Sequence, residues 1–130
     1  MPFSIKGKVV QGKGTAAGFL GLVWVKDQIK EKADFTPFMG TLNLELLSPS
    51  PEEYQCYIQS RTGIIIEPLE NGYEPGLLFR VKVNNKVKGL VVIPQIVDYP
   101  KDKVEVIAAV NLRTALELGD GSMVSVSFRS

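Results

Sequence analysis

The chain has 130 residues, of which 45% are hydrophobic, and its 15 basic and 14 acidic side chains give a net charge of +1. This length supports one domain (residues 1–130) with a substantial core and is too short for two, while the near-neutral charge lacks the basic surplus typical of a nucleic-acid binder. Because the chain has no histidine, Ser-His-Asp and Cys-His nucleophiles and imidazole-ligated zinc are excluded, so a bound metal would need mainly oxygen ligands, which favours magnesium.

The N-terminal part of the chain predicts two strands and one helix around a glycine-rich turn. The N-terminus, residues 1–6, lacks the charged-then-apolar order of a signal peptide. Alternation of apolar and polar residues predicts a strand over residues 3–10, and the turn Gly-Lys-Gly-Thr-Ala-Ala-Gly follows at residues 12–18. Residues 19–25 then predict a second, mostly buried strand. Residues 25–33 predict a helix, with Val25 and Ile29 four apart, which Pro37 ends.

The next stretch, residues 41–46, alternates strictly between polar and leucine side chains. This period of two predicts a strand with one buried face. The opposite face carries Thr41 and Asn43, whose neutral oxygens lie about 7 Å apart along the strand and could bind one hard cation. The alternative is an ordinary polar outer face on an edge strand.

The remaining elements predict a mainly β fold, a compact closed barrel with one or two short helices. Ser50 predicts the N-cap of a short helix, with Pro51 first and Glu53 reaching back. Strands are predicted over residues 62–68, 77–83, 87–93, 104–110 and 123–128, the middle pair forming a hairpin around residues 84–86. Asn111 predicts the cap of a helix that runs to residue 118. No apolar run reaches the length of a membrane span, and the single cysteine, Cys56, indicates an inert thiol in a reducing cytoplasm.

Two loops could bind phosphate. In the glycine turn, Gly12 and Gly14 let backbone amides approach a ligand, and Lys13 or Thr15 could add a charge or a hydroxyl. The turn matches neither a Walker loop nor a dinucleotide fingerprint, and a tight connection between strands is the alternative. The second loop leads to Arg113, where free amides at a helix start beside an arginine could bind an anion. A solvated surface arginine is the alternative there.

Glu105 is the acidic residue of the strand that precedes Arg113, on the face opposite Val104 and Val106. It is either a ligand contact or an ordinary exposed carboxylate. The glycine turn, the Thr/Asn pair and the helix start together suit a nucleotide whose phosphates carry magnesium. Two neutral protein ligands can be enough, because Mg²⁺ keeps water and phosphate oxygens in its coordination shell.

Residues 34–43, Asp-Phe-Thr-Pro-Phe-Met-Gly-Thr-Leu-Asn, match the pattern Gly-Phe-x-Pro-Tyr/Phe-x-Gly-Thr-Leu-Asn except at its first position. Further agreement lies at residues 7–14, 92–94, 107–108, 112–113 and 118–121. On these residues the sequence resembles the archaeal CTP-dependent riboflavin kinase family over almost the whole chain. The resemblance implies a six-stranded cradle-loop barrel of the riboflavin-kinase type. It also implies transfer of the γ-phosphate of CTP to the 5′-hydroxyl of riboflavin, giving FMN and CDP.

The resemblance also implies a role for each candidate residue. Thr41 and Asn43 would hold Mg²⁺, and Glu105 and Val97 would contact the flavin. Glu105 is also the candidate for accepting the hydroxyl proton. The nucleotide would be bound by two segments: Gly12, Lys13, Gly14, Thr15, Ala16 and Ala17, and Val110, Asn111, Leu112 and Arg113. The expected partners are CTP/CDP and riboflavin/FMN for a cytoplasmic monomer, without nucleic acid or membrane.

Several positions depart from the family pattern. Ala16 and Ala17 stand where the family has a further glycine and a larger or basic residue, and Val97 stands where a threonine-like flavin contact is expected. Ala109 replaces a proline. Some relatives carry an N-terminal winged-helix regulatory domain, and this chain starts at the barrel. Weaker phosphate and flavin contacts favour the alternative of a non-catalytic flavin- or nucleotide-binding barrel. A DNA-binding regulator is the other alternative, because related barrels serve that purpose. Near-neutral charge argues against the regulator.

Overall fold

Seven strands and three helices form the regular structure of residues 3–11, 20–38 and 40–129, which the computed structural model describes. None of the helices in these ranges is both long and apolar enough to cross a bilayer. The strands are β1 (Ser4–Val9), β2 (Leu42–Ser48), β3 (Ile64–Ile66), β4 (Gly76–Val83), β5 (Val87–Pro94), β6 (Lys103–Ala108) and β7 (Met123–Phe128). The helices are α1 (Val23–Ala33), α2 (Pro51–Gln59) and α3 (Leu112–Ala115).

Six of the strands close into an antiparallel barrel in the order β4-β5-β6-β2-β1-β7, and β7 pairs back with β4. Strand β3 is extra and pairs with β4 outside the ring. The predicted mainly β fold with a closed six-stranded barrel is therefore confirmed. In this order, the β2–β6 pair and the β4–β7 pair lie on opposite sides, with β5 and β1 between them. We call the β2–β6 pair the site wall, and the β4–β7 pair together with β5, which pairs with β4, the seam wall.

Two apolar cores share the barrel strands, one inside the barrel and one against part of its outer face. Inward-facing residues of all six barrel strands fill the first core, and α2 and α3 add Tyr54, Ile58 and Leu112 to it. The second core lies outside the barrel, where α1 packs against outward-facing residues of β3, β4, β5 and β6. Glu105 and Ile107 share the outer face of β6, since their neighbours Val104 and Val106 face the first core.

The predicted strand over residues 19–25 is wrong in the described part of that range, because α1 begins at Val23. Val25, Ile29 and Ala33 are four residues apart and are buried together in the second core. A short apolar run without alternation does not distinguish a strand from a buried helix. Residue 19 lies outside the described residues.

The local sequence signals are confirmed at three positions. The Ser50 side chain accepts a hydrogen bond from the backbone N–H of Glu53, and Asn84 and Asn85 adopt φ angles of 49° and 57° in the hairpin turn. Asn111 caps α3, but the helix ends at Ala115 and not at residue 118. The backbone turns left-handed at Glu117 (φ 53°), which an α-helix cannot accommodate. The described chain thus has a helix at each of the three places where the sequence predicted one.

Candidate functional site

Three chain segments with predicted site residues meet at one end of the barrel. The backbone N–H of Val10, which leads into the glycine turn, donates to the carbonyl of Asn43 at 3.0 Å. The N–H of Phe38 donates to the carbonyl of Ala108 at 2.7 Å, which ties the approach to β2 to the end of β6. The start of β2, with Thr41 just before it, therefore lies between the entry to the turn and the segment that leads to α3. The turn residues themselves, Gly12, Lys13, Gly14, Thr15, Ala16 and Ala17, lie outside the described residues.

Asn43 and Glu105 are directly opposite each other on the site wall, paired in the register of β2 and β6. The side chain of Glu105 is completely buried, and Asn43 is 9% exposed. The alternative that Glu105 is an ordinary exposed carboxylate is therefore wrong, and so is the edge-strand alternative for Asn43, because β2 is paired on both sides. A buried carboxylate is costly unless it is hydrogen-bonded, so this pair requires organised partners.

Tyr99 supplies one such partner. Its hydroxyl donates a 2.5 Å hydrogen bond to Oε2 of Glu105, reaching back from the loop between β5 and β6. Burial, and then this hydrogen bond to Glu105 and the charge of that carboxylate, raise the pKa of Tyr99 far above its ordinary value. The hydroxyl therefore stays protonated and remains a donor at neutral pH. The Nζ of Lys103 lies 5.8 Å from the centre of the Tyr99 ring.

Sequence patterns did not indicate Tyr99, which lies in a stretch that resembles an ordinary polar surface loop. The available signal was weak: a tyrosine six residues before Glu105. A strand rises about 3.3 Å per residue, so only a loop that folds back over its own strand can bring these two side chains together. That folding is not encoded in a local pattern.

Two cavities flank the site wall near these residues. One, of about 240 Å³, is lined by Asn43, Val10 and Lys103 among others. The other, of about 470 Å³, is formed largely by the loop after β5 and is lined by Val97, Tyr99 and Ile93 among others. Val97 is 88% exposed at this second cavity. Its predicted role as a flavin contact stays a prediction.

The predicted nucleotide segment at residues 110–113 follows β6 but offers fewer free groups than the sequence suggested. Leu112 is buried in the first core, so its side chain cannot face a ligand, whereas Val110 is exposed. Oδ1 of Asn111 accepts hydrogen bonds from the backbone N–H groups of Arg113 and Thr114, at 3.0 and 3.4 Å. The expectation of free amides at this helix start is thus wrong for these two residues.

The guanidinium of Arg113 is already paired. Its Nη2 donates to Oδ1 of Asp120 at 2.9 Å, and the two side chains are 38% and 49% exposed. The alternative that Arg113 is a solvated surface arginine is therefore wrong, because its guanidinium is paired with Asp120. A phosphate group at this position would share or displace the carboxylate of Asp120, a residue that sequence patterns did not mark as part of the site.

The oxygen donors at the start of β2 fit a magnesium ion that is carried by phosphates. Thr41 is half-buried and makes no side-chain hydrogen bond to the described residues, and the amide of Asn43 lies opposite the carboxylate of Glu105. Within the described ranges, no group of three or more Asp, Glu, Cys or His side chains could hold a metal by itself. Neutral oxygens therefore suit only a cation whose remaining ligands are water and phosphate.

Comparison with known proteins agrees with these motifs. The family model CTP-dep_RFKase, described as Domain of unknown function DUF120, matches residues 9–128. A riboflavin kinase of Pyrobaculum arsenaticum is 42% identical over 123 residues, covering 92% of this chain and 58% of that protein. One of Ignicoccus hospitalis is 40% identical over 128 residues, covering 96% and 70%. One of Methanosarcina barkeri is 33% identical over 128 residues, covering 96% and 56%. The chain thus spans little more than half the length of the Pyrobaculum and Methanosarcina proteins.

Proposed function

The chain belongs to the family of CTP-dependent riboflavin kinase domains, and from this premise we propose that it transfers the γ-phosphate of CTP to the 5′-hydroxyl of riboflavin. The products are FMN and CDP, and the hydroxyl proton leaves to a base. The observation that supports this proposal best is the buried Asn43–Glu105 pair on the site wall. It lies between the segment proposed for the nucleotide and the loop proposed for the flavin.

The order of groups along the site wall suits an in-line transfer. Residues 110–113 follow one end of β6, and the loop with Val97 and Tyr99 precedes its other end. In the proposed arrangement the nucleotide is bound at the first end and the flavin at the second. The acceptor hydroxyl then meets the terminal phosphate near Asn43 and Glu105. Phosphoryl transfer depends mainly on such positioning and on neutralising charge.

Thr41 and Asn43 are the residues we propose to hold Mg²⁺. When bound, the ion would neutralise charge on the terminal phosphates of the nucleotide. The chain itself would contribute two fixed oxygens, one from a hydroxyl and one from an amide that the β2–β6 pairing keeps in place. Arg113 and the backbone of the glycine turn would bind the remaining phosphate oxygens.

Glu105 is proposed to accept or orient the proton of the acceptor hydroxyl. Its burial removes competing water, and the hydrogen bond from Tyr99 fixes one of its two oxygens, Oε2. A carboxylate fixed in this way acts on a hydroxyl without first having to reorganise its surroundings.

The test is an assay of riboflavin and Mg²⁺ with each of the four nucleoside triphosphates, with chromatography of both products. We expect FMN and CDP in equal amounts with CTP and little product with the others. Asn43→Ala should lower turnover at least about tenfold, which corresponds to about 1.4 kcal/mol. The control is Asn71→Ala, since Asn71 lies in an exposed loop away from the site wall. Full turnover by the Asn43 variant would remove the metal role.

A second candidate is a barrel that binds the flavin or the nucleotide without turnover. The pairing of Arg113 with Asp120 and the exposure of Val97 favour it, because both weaken the expected ligand contacts. Tight riboflavin binding together with no release of CDP would select this candidate over the kinase.

A further inference from the structure

A basic groove lies on the barrel side away from the site wall. It is an open cavity of about 1080 Å³, and four cations line it: Arg61, Lys82, Lys88 and Arg129. Lys82 and Lys88 project from the outer faces of β4 and β5, Arg129 follows β7, and Arg61 follows α2. The basic groove is therefore built on the seam wall and shares no lining residue with the cavities beside Asn43 and Tyr99.

The cations of the basic groove are placed against one another. Lys82 is directly opposite Lys88 in the β4–β5 register, and like charges in that position destabilise an antiparallel pair. The backbone N–H of Arg129 donates to the carbonyl of Arg80, which brings a further arginine next to Arg129. Among residues 3–11, 20–38 and 40–129, no Asp or Glu lines the groove, and none of its four cations forms a salt bridge to these residues.

The floor of the basic groove is aromatic and hydroxylic. The rings of Phe3 and Tyr57 stack with centroids 3.8 Å apart, and the guanidinium of Arg61 lies 5.6 Å from the Tyr57 centroid. The hydroxyls of Ser4 and Ser127 are hydrogen-bonded to each other at 3.0 Å and also line the groove. Stacking on Tyr57 orients the Arg61 fork, and the serine hydroxyls add neutral donors.

We propose that the basic groove binds a small anion that carries two or more phosphate groups. Guanidinium and ammonium groups converging on one cavity match the several charged oxygens of such a ligand. The groove volume suits a small molecule. A nucleic acid would be expected to meet a continuous basic stripe, whereas these four cations surround a single cavity and the chain as a whole carries only +1. The ligand would supply the negative charge that the seam wall lacks.

The probe is sodium tripolyphosphate, titrated into the ¹⁵N-labelled full chain at low ionic strength without divalent cations. We expect saturable shifts of the backbone amides of Lys82, Lys88 and Arg129. Because these amides lie on the seam wall, they report on the groove separately from residues 110–113 on the site wall. Shifts confined to residues 110–113 would contradict phosphate binding at the groove and leave the proposed kinase site intact. Shifts confined to the groove would support the groove and contradict phosphate binding at residues 110–113.

Two double variants distinguish specific binding at the groove from attraction to positive charge anywhere on the protein. Lys82→Gln combined with Lys88→Gln should weaken tripolyphosphate binding at the groove at least tenfold. Lys26→Gln combined with Lys30→Gln removes the same charge from α1 and should weaken it less than twofold. Equal weakening by both pairs would overturn the proposal, as would equal affinity of the wild-type chain for sulfate and for tripolyphosphate. The Lys82/Lys88 variant should keep the FMN formation of the wild type, because it leaves the site wall unchanged.

A short single-stranded oligonucleotide tests the other source of phosphate. We expect it to bind the groove no more tightly than tripolyphosphate at equal salt. Binding at least tenfold tighter, with a salt dependence that indicates several phosphate contacts, would overturn the small-anion proposal in favour of nucleic acid.

Discussion

On the site wall, Glu105 is fully buried, accepts a hydrogen bond from Tyr99 and pairs with Asn43 across the sheet. On the seam wall, Lys82 and Lys88 are paired across the sheet, and no carboxylate of the residues that the structure describes lines the groove around them. Both walls belong to the same closed barrel, so the difference does not come from the fold. The site wall provides partners for its charge from within the chain, whereas the seam wall leaves its charge to be balanced from outside.

Of the predicted substitutions, Glu105→Gln on the site wall should have the largest effect, and this effect is on FMN formation. The amide keeps the size and an acceptor oxygen for Tyr99 but has no charge, so the protein should fold. We expect FMN formation to fall about a hundredfold or more, in the range of a lost general base. Steady-state kinetics distinguish the two proposed roles, because loss of a proton acceptor lowers kcat, whereas loss of a flavin contact raises KM for riboflavin.

The control for this variant is Glu31→Gln, which removes an exposed carboxylate from α1. It should leave both kinetic constants unchanged within about twofold, an effect of at most about 0.4 kcal/mol. Wild-type kcat and KM in the Glu105 variant would show that this buried carboxylate serves packing alone, and the contrast between the walls would then have no catalytic meaning.

Tyr99→Phe removes the hydrogen-bond donor of Glu105 but keeps the charge of the carboxylate. The substitution deletes one hydrogen bond to a buried carboxylate, so we expect a loss of about 1.5–3 kcal/mol in the free energy of unfolding, measured by urea denaturation. Tyr54→Phe is the control: Tyr54 is buried where Tyr99 is half-buried, but its hydroxyl has no hydrogen-bond partner in the described part of the chain. Equal losses in the two variants would show that the Tyr99 hydroxyl contributes no specific stabilisation.

The same tyrosines predict an alkaline limit to stability. Burial raises the pKa of Tyr54 and, together with Glu105, that of Tyr99 above the ordinary value of 10.0. The folded chain therefore keeps both phenolic protons where the unfolded chain loses them, so the contribution of these two tyrosines to stability is constant below pH 10 and falls above it. Each tyrosine contributes a slope of about 1.4 kcal/mol per pH unit there. The Tyr99→Phe chain should lose stability less steeply than the wild type between pH 10 and 12, and parallel curves would contradict the raised pKa of Tyr99.

The sequence predicted what is local in both walls and missed what is assembled from distant segments. Alternation located β2 and β7, and Asn84 and Asn85 marked the turn between β4 and β5, because these signals lie within a few residues. Closure of the barrel pairs residues 81–83 with residues 126–128. No local pattern encodes that register, since it is set by packing.

In the candidate site, too, the sequence predicted local features and missed contacts between distant segments. Thr41 and Asn43 belong to one motif and could be selected from it, but the placement of Asn43 opposite Glu105 is a matter of strand register. The pairing of Arg113 with Asp120 depends on the turn after α3. The basic groove could not be predicted from the sequence because its cations are spread from residue 61 to residue 129. Neither the net charge nor a run of charged residues indicates it.

Lys88→Glu tests the seam wall with the smallest expected effect. The substitution places a carboxylate opposite Lys82, replacing a repulsive cross-strand pair with an attractive one, so the free energy of unfolding should rise by about 0.2–1 kcal/mol. The gain should shrink at high salt, because exposed charges are screened. Lys86→Glu makes the same change of net charge in the hairpin turn, where no lysine is directly opposite, and should be close to neutral. If the free energy of unfolding rises equally in both variants, repulsion between Lys82 and Lys88 does not destabilise the fold locally. The seam wall would then differ from the site wall in net charge alone.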